Sequence, residues 1–332
     1  MSTPPAEDLR AALAQDWAQS ALGLAQAAFA PASADASFRR YFRLCHGGGS
    51  WIVMDAPPER EDCRPFLKVA ALLADAGVHV PRVHAQDLER GFLLLSDLGT
   101  QTFLDVLRPD NADALFDAAI DALVLWQRAS RPRQLPPYDA ALLRRELALF
   151  PDWYLQLHRG VSLAPAERAE LEAVFDRLVA DALAQPQGYV HRDYMPRNLM
   201  HSSPNPGVLD FQDAVYGPLA YDAVSLFRDA FLSWPAERVQ AWLGRYHRRA
   251  TGAGVPLADW ASFRRQCDLI GLQRHLKVLG IFARLTLRDG KPRYLADTPR
   301  FVRYVMEVAP RYTELAPLAA LFERHVLPGL GQ

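Results

Sequence analysis

The apolar–polar alternation that marks β-strands stops at Ser96-Asp97-Leu98-Gly99, and almost everything after that point carries helical spacing. A chain patterned this way divides into a small α+β part, residues 1–97, and a larger helical part, residues 98–332. At 332 residues it is also longer than one compact core usually holds, so two lobes are expected.

In the first part, Leu9, Leu13 and Trp17 recur at i, i+4 and i+8, which predicts an amphipathic helix running to about Gly23. Residues 38–44 alternate, with Phe38, Arg40, Phe42 and Leu44 on one face, and Trp51 to Met54 is a second strand. The triple glycine at 47–49 invites a phosphate-loop reading. No helix start or Lys-Ser/Thr pair follows it, so a hairpin turn is expected. Phe66 to Ala76 reads as a helix ended by Gly77, and Val78–Val83 (broken by Pro81) and Gly91–Leu95 read as strands. Beyond the break, helices are predicted over 111–128, 140–158, 165–184, 236–250, 257–288 and 298–309. Within this region Tyr189-Val190-His191 and Gly207-Val208-Leu209-Asp210-Phe211 read as one short strand pair flanking polar loops.

Charge and cysteine usage narrow the partners. Lys+Arg 37 against Asp+Glu 38 leaves a net charge of −1, without the basic excess that non-specific nucleic-acid binding requires. Only Lys68, Lys277 and Lys291 are lysines, a skew of composition that makes arginine count by itself uninformative. Cys45, Cys63 and Cys267 are odd in number and scattered, which fits free thiols in a reducing cytoplasm. The first seventeen residues carry Glu7, Asp8 and Asp16 and lack a basic, then apolar, leader pattern. No uncharged apolar run reaches the ~18 residues that a membrane span needs. A soluble cytoplasmic monomer with neither nucleic-acid nor membrane partner is the expectation.

The chemistry concentrates in His191-Arg192-Asp193-Tyr194-Met195-Pro196-Arg197-Asn198, and Asp210 follows Asp193 by seventeen residues. D-x-x-x-x-N and then Asp after a strand is the residue set of phosphoryl transfer: a catalytic-loop aspartate and two magnesium ligands. That reaction passes through a loose transition state, so the protein mainly positions groups and neutralises charge. Magnesium takes hard oxygen donors, which the Asn198 carbonyl and Asp210 carboxylate supply. Asp193 is placed to accept the acceptor hydroxyl's proton.

Taken with Ser37-Phe38-Arg39-Arg40-Tyr41-Phe42, Val53 to Pro58 and Val208 to Phe231, these motifs make the chain resemble the aminoglycoside phosphotransferase/choline kinase family, with its bilobal protein-kinase-like α+β fold. Within that family it most resembles the bacterial anomeric sugar kinases of peptidoglycan recycling, which phosphorylate N-acetylmuramate and N-acetylglucosamine at C1. The resemblance implies ATP and Mg2+ as cofactors. It implies Asp193 as the base, Asn198 and Asp210 as metal and cofactor ligands, and Ser96, Asp97 and Leu98 as backbone partners of adenine. Asp222 resembles the helix-start aspartate that braces the loop, although an ordinary N-cap fits equally. His191 resembles the loop's structural histidine.

The chain also departs from the pattern. The third-strand lysine has no counterpart in Ile52-Val53-Met54-Asp55, and Met195 stands where a lysine follows the catalytic aspartate. Some cation must still meet the phosphates. Arg40, beside Ser37, is one candidate, with pairing to a nearby carboxylate as the alternative; Lys68 is another, and Arg197 could serve the catalytic loop. Gln212 replaces the glycine of D-F-G.

The acceptor is expected to be small, because eleven residues between Asp210 and Asp222 are too few for a peptide-binding activation segment. Eleven arginines between Arg228 and Arg293, Arg274 among them, disfavour a polycationic acceptor and suit a neutral sugar or one bearing a carboxylate, with a solvated face as the alternative. Trp234, Trp242 and Tyr294 could stack on a sugar or belong to the core. The expected activity is anomeric phosphorylation of N-acetylmuramate and N-acetylglucosamine. The alternatives are another small sugar or amino alcohol as acceptor, or a nucleotide-binding pseudokinase acting as a partner module.

Overall fold

In a computed structural model the described residues are 6–33 and 38–330. They form two compact units: the residues up to Val106 together with Leu199–Asp213, and Leu107–Asn198 together with the residues from Ala214 onward. The division therefore falls nine residues beyond the strand-to-helix break at 97, and the short segment that carries Asp210 folds with the first unit.

The first unit is built on an antiparallel sheet of five strands: β1 (Ala28–Ser33), β2 (Arg40–His46), β3 (Gly49–Asp55), β4 (Val83–Asp87) and β5 (Phe92–Ser96), in the order β1-β2-β3-β5-β4. Gly47 and Gly48 turn between β2 and β3 with φ of +56° and +82°, the left-handed pair that a two-residue hairpin demands. The triple glycine is thus a turn. β1 had no strand signal in the sequence, because Ala-Phe-Ala-Pro-Ala-Ser has little β-propensity; it lies at the sheet edge, where Pro31 is tolerated. β4 begins only at Val83, since Pro81 cannot donate to a ladder, and residues 78–82 precede it as non-strand chain.

Helix α1 (Ala6–Leu22) packs on this sheet through Ala14 and Ala18, which meet Phe42, Leu44, Val53, Phe92 and Leu94. Leu9 and Leu13, the expected apolar face, are 49% and 52% exposed. The buried line is the alanine pair, whose small side chains allow a close approach. Helix α2 (Arg64–Asp75) buries Phe66, Val69, Ala70 and Leu73 and gives way at Gly77. A single turn, α3 (Phe103–Val106), ends this part of the unit.

The second unit is helical: α4 (Ala112–Arg128), α5 (Ala140–Leu149), α6 (Pro165–Ala184), α7 (Ala220–Phe227), α8 (Ala236–Gly252), α9 (Trp260–Leu287), α10 (Thr298–Val308) and α11 (Ala316–His325). The helix expected over 140–158 changes at Phe150, and Phe150–His158 is a π-helix whose second residue is Pro151. A proline there breaks the regular backbone hydrogen-bond ladder. α9 is the central element, buried almost all round from Cys267 to Gly280. Gly280 lets α5 come so close that a Cβ would lie 2.3 Å from the Leu149 carbonyl carbon. The two short sequences expected to pair with each other do not. Gln187–Val190 pairs with Val215–Pro218 in the second unit, and Gly207–Val208 pairs with Leu199–Met200 in the first. No helix among the described residues is long and apolar enough to cross a membrane.

Candidate active site

The catalytic loop leaves the strand Gln187–Val190 at His191 and is fixed from outside its own sequence. Asp222, the third residue of α7, accepts the backbone N–H of His191 at 2.7 Å and of Arg192 at 3.0 Å. It therefore braces the loop and does not cap its own helix. Asp222 is fully buried, and burial pushes its carboxyl up to about 7 against the pull of those two donors. Arg192 has a left-handed backbone, φ +76°, a conformation that costs free energy unless its surroundings over-determine it.

Those surroundings are a buried ionic hub. Arg192 Nη2 lies 2.5 Å from Glu146 Oε1 of α5, and Lys277 Nζ of α9 lies 3.0 Å from the same atom. Glu146 Oε2 accepts Gln273 Nε2 at 3.0 Å and the hydroxyl of Tyr138. Burial would raise the Glu146 carboxyl, but Lys277 and Arg192 outweigh it and hold the group at about 2. The same pairing raises Lys277, whose burial alone would lower it, through Tyr221 and Glu146.

Within the loop, Asn198 Nδ2 donates to the Asp193 carbonyl at 2.9 Å, which fixes the orientation of its amide. His191 Nδ1 accepts the Asp193 N–H at 3.3 Å, a bond that needs an unprotonated Nδ1 and fits a structural histidine. Tyr194 anchors the loop through its hydroxyl to the Ala119 carbonyl at 2.7 Å. Arg197 lies over Phe231 at 5.4 Å and donates to the Tyr294 hydroxyl at 3.4 Å. Trp242 and Tyr294 are core residues, so the stacking role fails for both. Trp242 donates to Asp113 at 2.6 Å and packs against half-buried Trp234.

In the first unit, Asp210 is also left-handed, φ +61°, and its Oδ1 accepts Gln212 Nε2 at 2.8 Å, a bond that glycine at 212 could not make. Phe211 anchors the segment on Phe66 of α2 at 4.8 Å. Val208 N–H donates to the His79 carbonyl, and His201 N–H to that of Gln101. At the strand break, Ser96 is occupied by Arg82, whose N–H donates to its Oγ at 2.9 Å and whose carbonyl accepts its N–H. The Asp97 carboxylate takes Arg43 at 2.6 Å and the Gly99 N–H at 3.0 Å; burial raises its carboxyl, but these donors together hold it below the usual range. Among the described residues the peptide groups of Asp97 and Leu98 carry no backbone hydrogen bond.

Arg40 takes the alternative left open for it. Its Nη2 is 2.5 Å from Asp55, a fully buried carboxylate that also holds Arg10 at 2.7 Å. Lys68 is exposed. Ser37 lies outside the described residues. Asn198 and Asp210 offer only hard oxygen to a metal, the donor chemistry that suits magnesium. Glu146, Gln273 and the burial of Lys277 were missed from the sequence. Lys277 left a readable signal: a lone lysine inside the apolar run Leu276 to Leu279 must be buried with a counter-charge.

Residues 28–264 match the family described as "Phosphotransferase enzyme family". A protein named N-acetylmuramate/N-acetylglucosamine kinase from Pseudomonas aeruginosa is 62% identical over 292 residues, 88% of this chain and 86% of its own. One of the same name from Neisseria meningitidis is 47% identical over 296 residues, 87% of this chain and 88% of its own. Among solved structures, choline kinase LicA from Streptococcus pneumoniae aligns with a TM-score of 0.64 at 13% identity, over 89% of this chain and 99% of that one. The ADP-bound aminoglycoside phosphotransferase APH(2'')-Ib aligns with a TM-score of 0.57 at 12% identity, over 88% and 97%. The protein-kinase-like α+β fold expected from the sequence is therefore the fold observed.

Proposed function

The chain belongs to the phosphotransferase enzyme family, and from that premise we propose that it is an ATP-dependent kinase of N-acetylmuramate and N-acetylglucosamine that phosphorylates the anomeric C1 hydroxyl. The observation that carries the chemistry is the braced loop: Asp222 and Glu146 hold Arg192, and through it Asp193, in one conformation. The choice of acceptor rests on the identity with relatives of that name.

In this reading the Asp193 carboxylate accepts a hydrogen bond from the C1 hydroxyl, orients the oxygen for attack on the γ-phosphorus of ATP and takes its proton as the new P–O bond forms and the bond to the ADP oxygen breaks, releasing ADP. A hemiacetal hydroxyl is more acidic than an ordinary alcohol, which lightens that task. Asn198 and Asp210 hold magnesium, whose charge offsets that of the phosphates when it is bound. Arg197 supplies the loop's cation in place of the absent lysine. Residues 1–97 form the nucleotide-binding part. The peptide groups of Asp97 and Leu98 meet adenine. A cytoplasmic location fits a protein that consumes ATP.

The test is phosphorus NMR of the full chain with ATP and magnesium, and separately N-acetylmuramate, N-acetylglucosamine, glucose and kanamycin. A sugar 1-phosphate from the two N-acetyl sugars is expected. Phosphate on kanamycin or glucose alone would discard the acceptor, and no product in any tube would discard the kinase.

A further inference from the structure

We propose that Arg274, covered by Met195, is the group that reads a carboxylate on the acceptor sugar, an inference that rests on the kinase reading above. Arg274 lies on α9 and is 2% exposed. Its guanidinium makes two contacts: Nη1 with the Arg228 carbonyl at 3.5 Å and Nη2 with the Met195 sulfur at 3.9 Å. Both are weak, the first by its length and the second because a thioether is a poor acceptor. Among the described residues Arg274 makes no ion pair, whereas the other buried cations of the second unit do. Arg228 pairs with Asp268 at 3.2 Å, and Lys277 with Glu146 at 3.0 Å. Asp222 and Asp229 feel its charge; both oxygens of Asp222 and Oδ2 of Asp229 bond backbone N–H groups, and no oxygen of either makes a hydrogen bond with Arg274 among the described residues. A guanidinium taken out of water without a fork-shaped partner is costly, and a carboxylate or phosphate is what its geometry fits.

A second observation points to the same place. Asp229 Oδ1, Arg228 Nη1 and both ring nitrogens of His275 are buried without a hydrogen-bond partner among the described residues. Buried polar atoms are nearly always satisfied, so four orphans beside one unpaired guanidinium mark a place where hydroxyl and amide groups of another molecule can bind.

The position fits the acceptor. Met195 stands two residues after Asp193, its side chain is half-buried, and its flexible thioether is the group that meets Arg274 Nη2. Turning it aside uncovers Nη2, and a bidentate carboxylate would take Nη1 in exchange for its weak contact with the Arg228 carbonyl. N-acetylmuramate carries a lactyl carboxylate and N-acetylglucosamine does not.

The experiment measures kcat/KM of the full chain, Arg274→Met and Arg274→Lys on N-acetylmuramate, its lactyl methyl ester and N-acetylglucosamine. The unaltered protein is expected to favour the acid over the ester about tenfold or more, the scale of one charge-assisted bidentate contact. Arg274→Met keeps the apolar stem and erases that preference. Arg274→Lys restores only part of it, because lysine has no fork. An unaltered protein that treats acid and ester alike overturns the inference without any variant. A preference that survives in Arg274→Met while all acceptors slow together overturns it in favour of a packing role. A rise in the KM for ATP shared by every acceptor overturns it in favour of the nucleotide phosphates. Turnover of N-acetylglucosamine by the unaltered protein checks the kinase reading separately. If no acceptor turns over, that reading falls and takes this inference with it; if N-acetylglucosamine turns over and the acid has no advantage, only this inference falls.

Discussion

The loop that carries Asp193 is held by charges drawn from α5, α7 and α9, whereas the segment that carries Asp210 is held by backbone hydrogen bonds and the contact of Phe211 with Phe66. Each unit holds a buried carboxylate between two cations, Asp55 in the first and Glu146 in the second, but the pairs beside the catalytic loop and the strand break differ in kind. The carboxylate of Arg192–Glu146 is buried and shared with a second cation, so losing it leaves two charges uncompensated. In Arg43–Asp97 the arginine is a quarter exposed and water can replace its partner. The second unit spends its buried charges on one backbone conformation. In the first, the peptide groups of Asp97 and Leu98 carry no backbone hydrogen bond among the described residues.

The largest expected effect isolates chemistry from scaffold. Asp193→Ala should lower kcat by about 10²–10⁴-fold while the thermal midpoint hardly moves, as read by steady-state kinetics beside calorimetry. A comparable loss of stability would mean that the loop's aspartate is itself part of the scaffold.

Glu146→Gln tests the hub. It removes the counter-charge that Arg192 and Lys277 share, and denaturant titration should show a loss of about 3–5 kcal/mol. It should also change the acid limb. The native Glu146 carboxyl is held at about 2, below its value of 4.5 in the unfolded chain, so the unfolded state binds more protons in that window. Stability from this group is present above pH 4.5 and is lost as pH falls towards 2. The variant should show a flatter decline across that range; an unchanged slope would remove Glu146 from the centre of the hub.

Asp222→Ala removes the acceptor of two buried N–H groups and should cost about 1–3 kcal/mol together with a fall in kcat, while KM for ATP holds. A normal kcat would reduce Asp222 to packing. The smallest effect belongs to the first unit. Arg43→Gln should cost less than about 1 kcal/mol, because its pair is partly screened by solvent, and should instead raise KM for ATP by loosening Asp97. If it destabilises as much as Glu146→Gln, the contrast between the units is lost.

Much of the fold was legible in the sequence because its signals are local. Alternation at Phe42 and Leu44, two left-handed glycines and helical spacing in the second half each report on neighbours a few residues away. The misreadings share a cause. Leu9 and Leu13 have the right period for a buried face, but period states only that one face is buried; the sheet accepted the alanine face. The strand fragments at Tyr189 and Val208 were recognised and wrongly matched, because which strand pairs with which depends on where the intervening chain travels.

The same division holds for the site. The candidates Asp193, Asn198 and Asp210 come from residue type and spacing, the pattern that phosphoryl-transfer sites share. The role of Asp222 was left between brace and cap until its carboxylate was seen on His191 and Arg192. Glu146, Lys277 and Arg274 lie 46 residues before and 85 and 82 residues after Arg192, and no local pattern ties them to it. By itself the sequence determined which groups can do the chemistry. Which charges meet, and which guanidinium is left unpaired, was decided by tertiary packing, because a buried charge takes its meaning from partners that only the folded chain brings within reach.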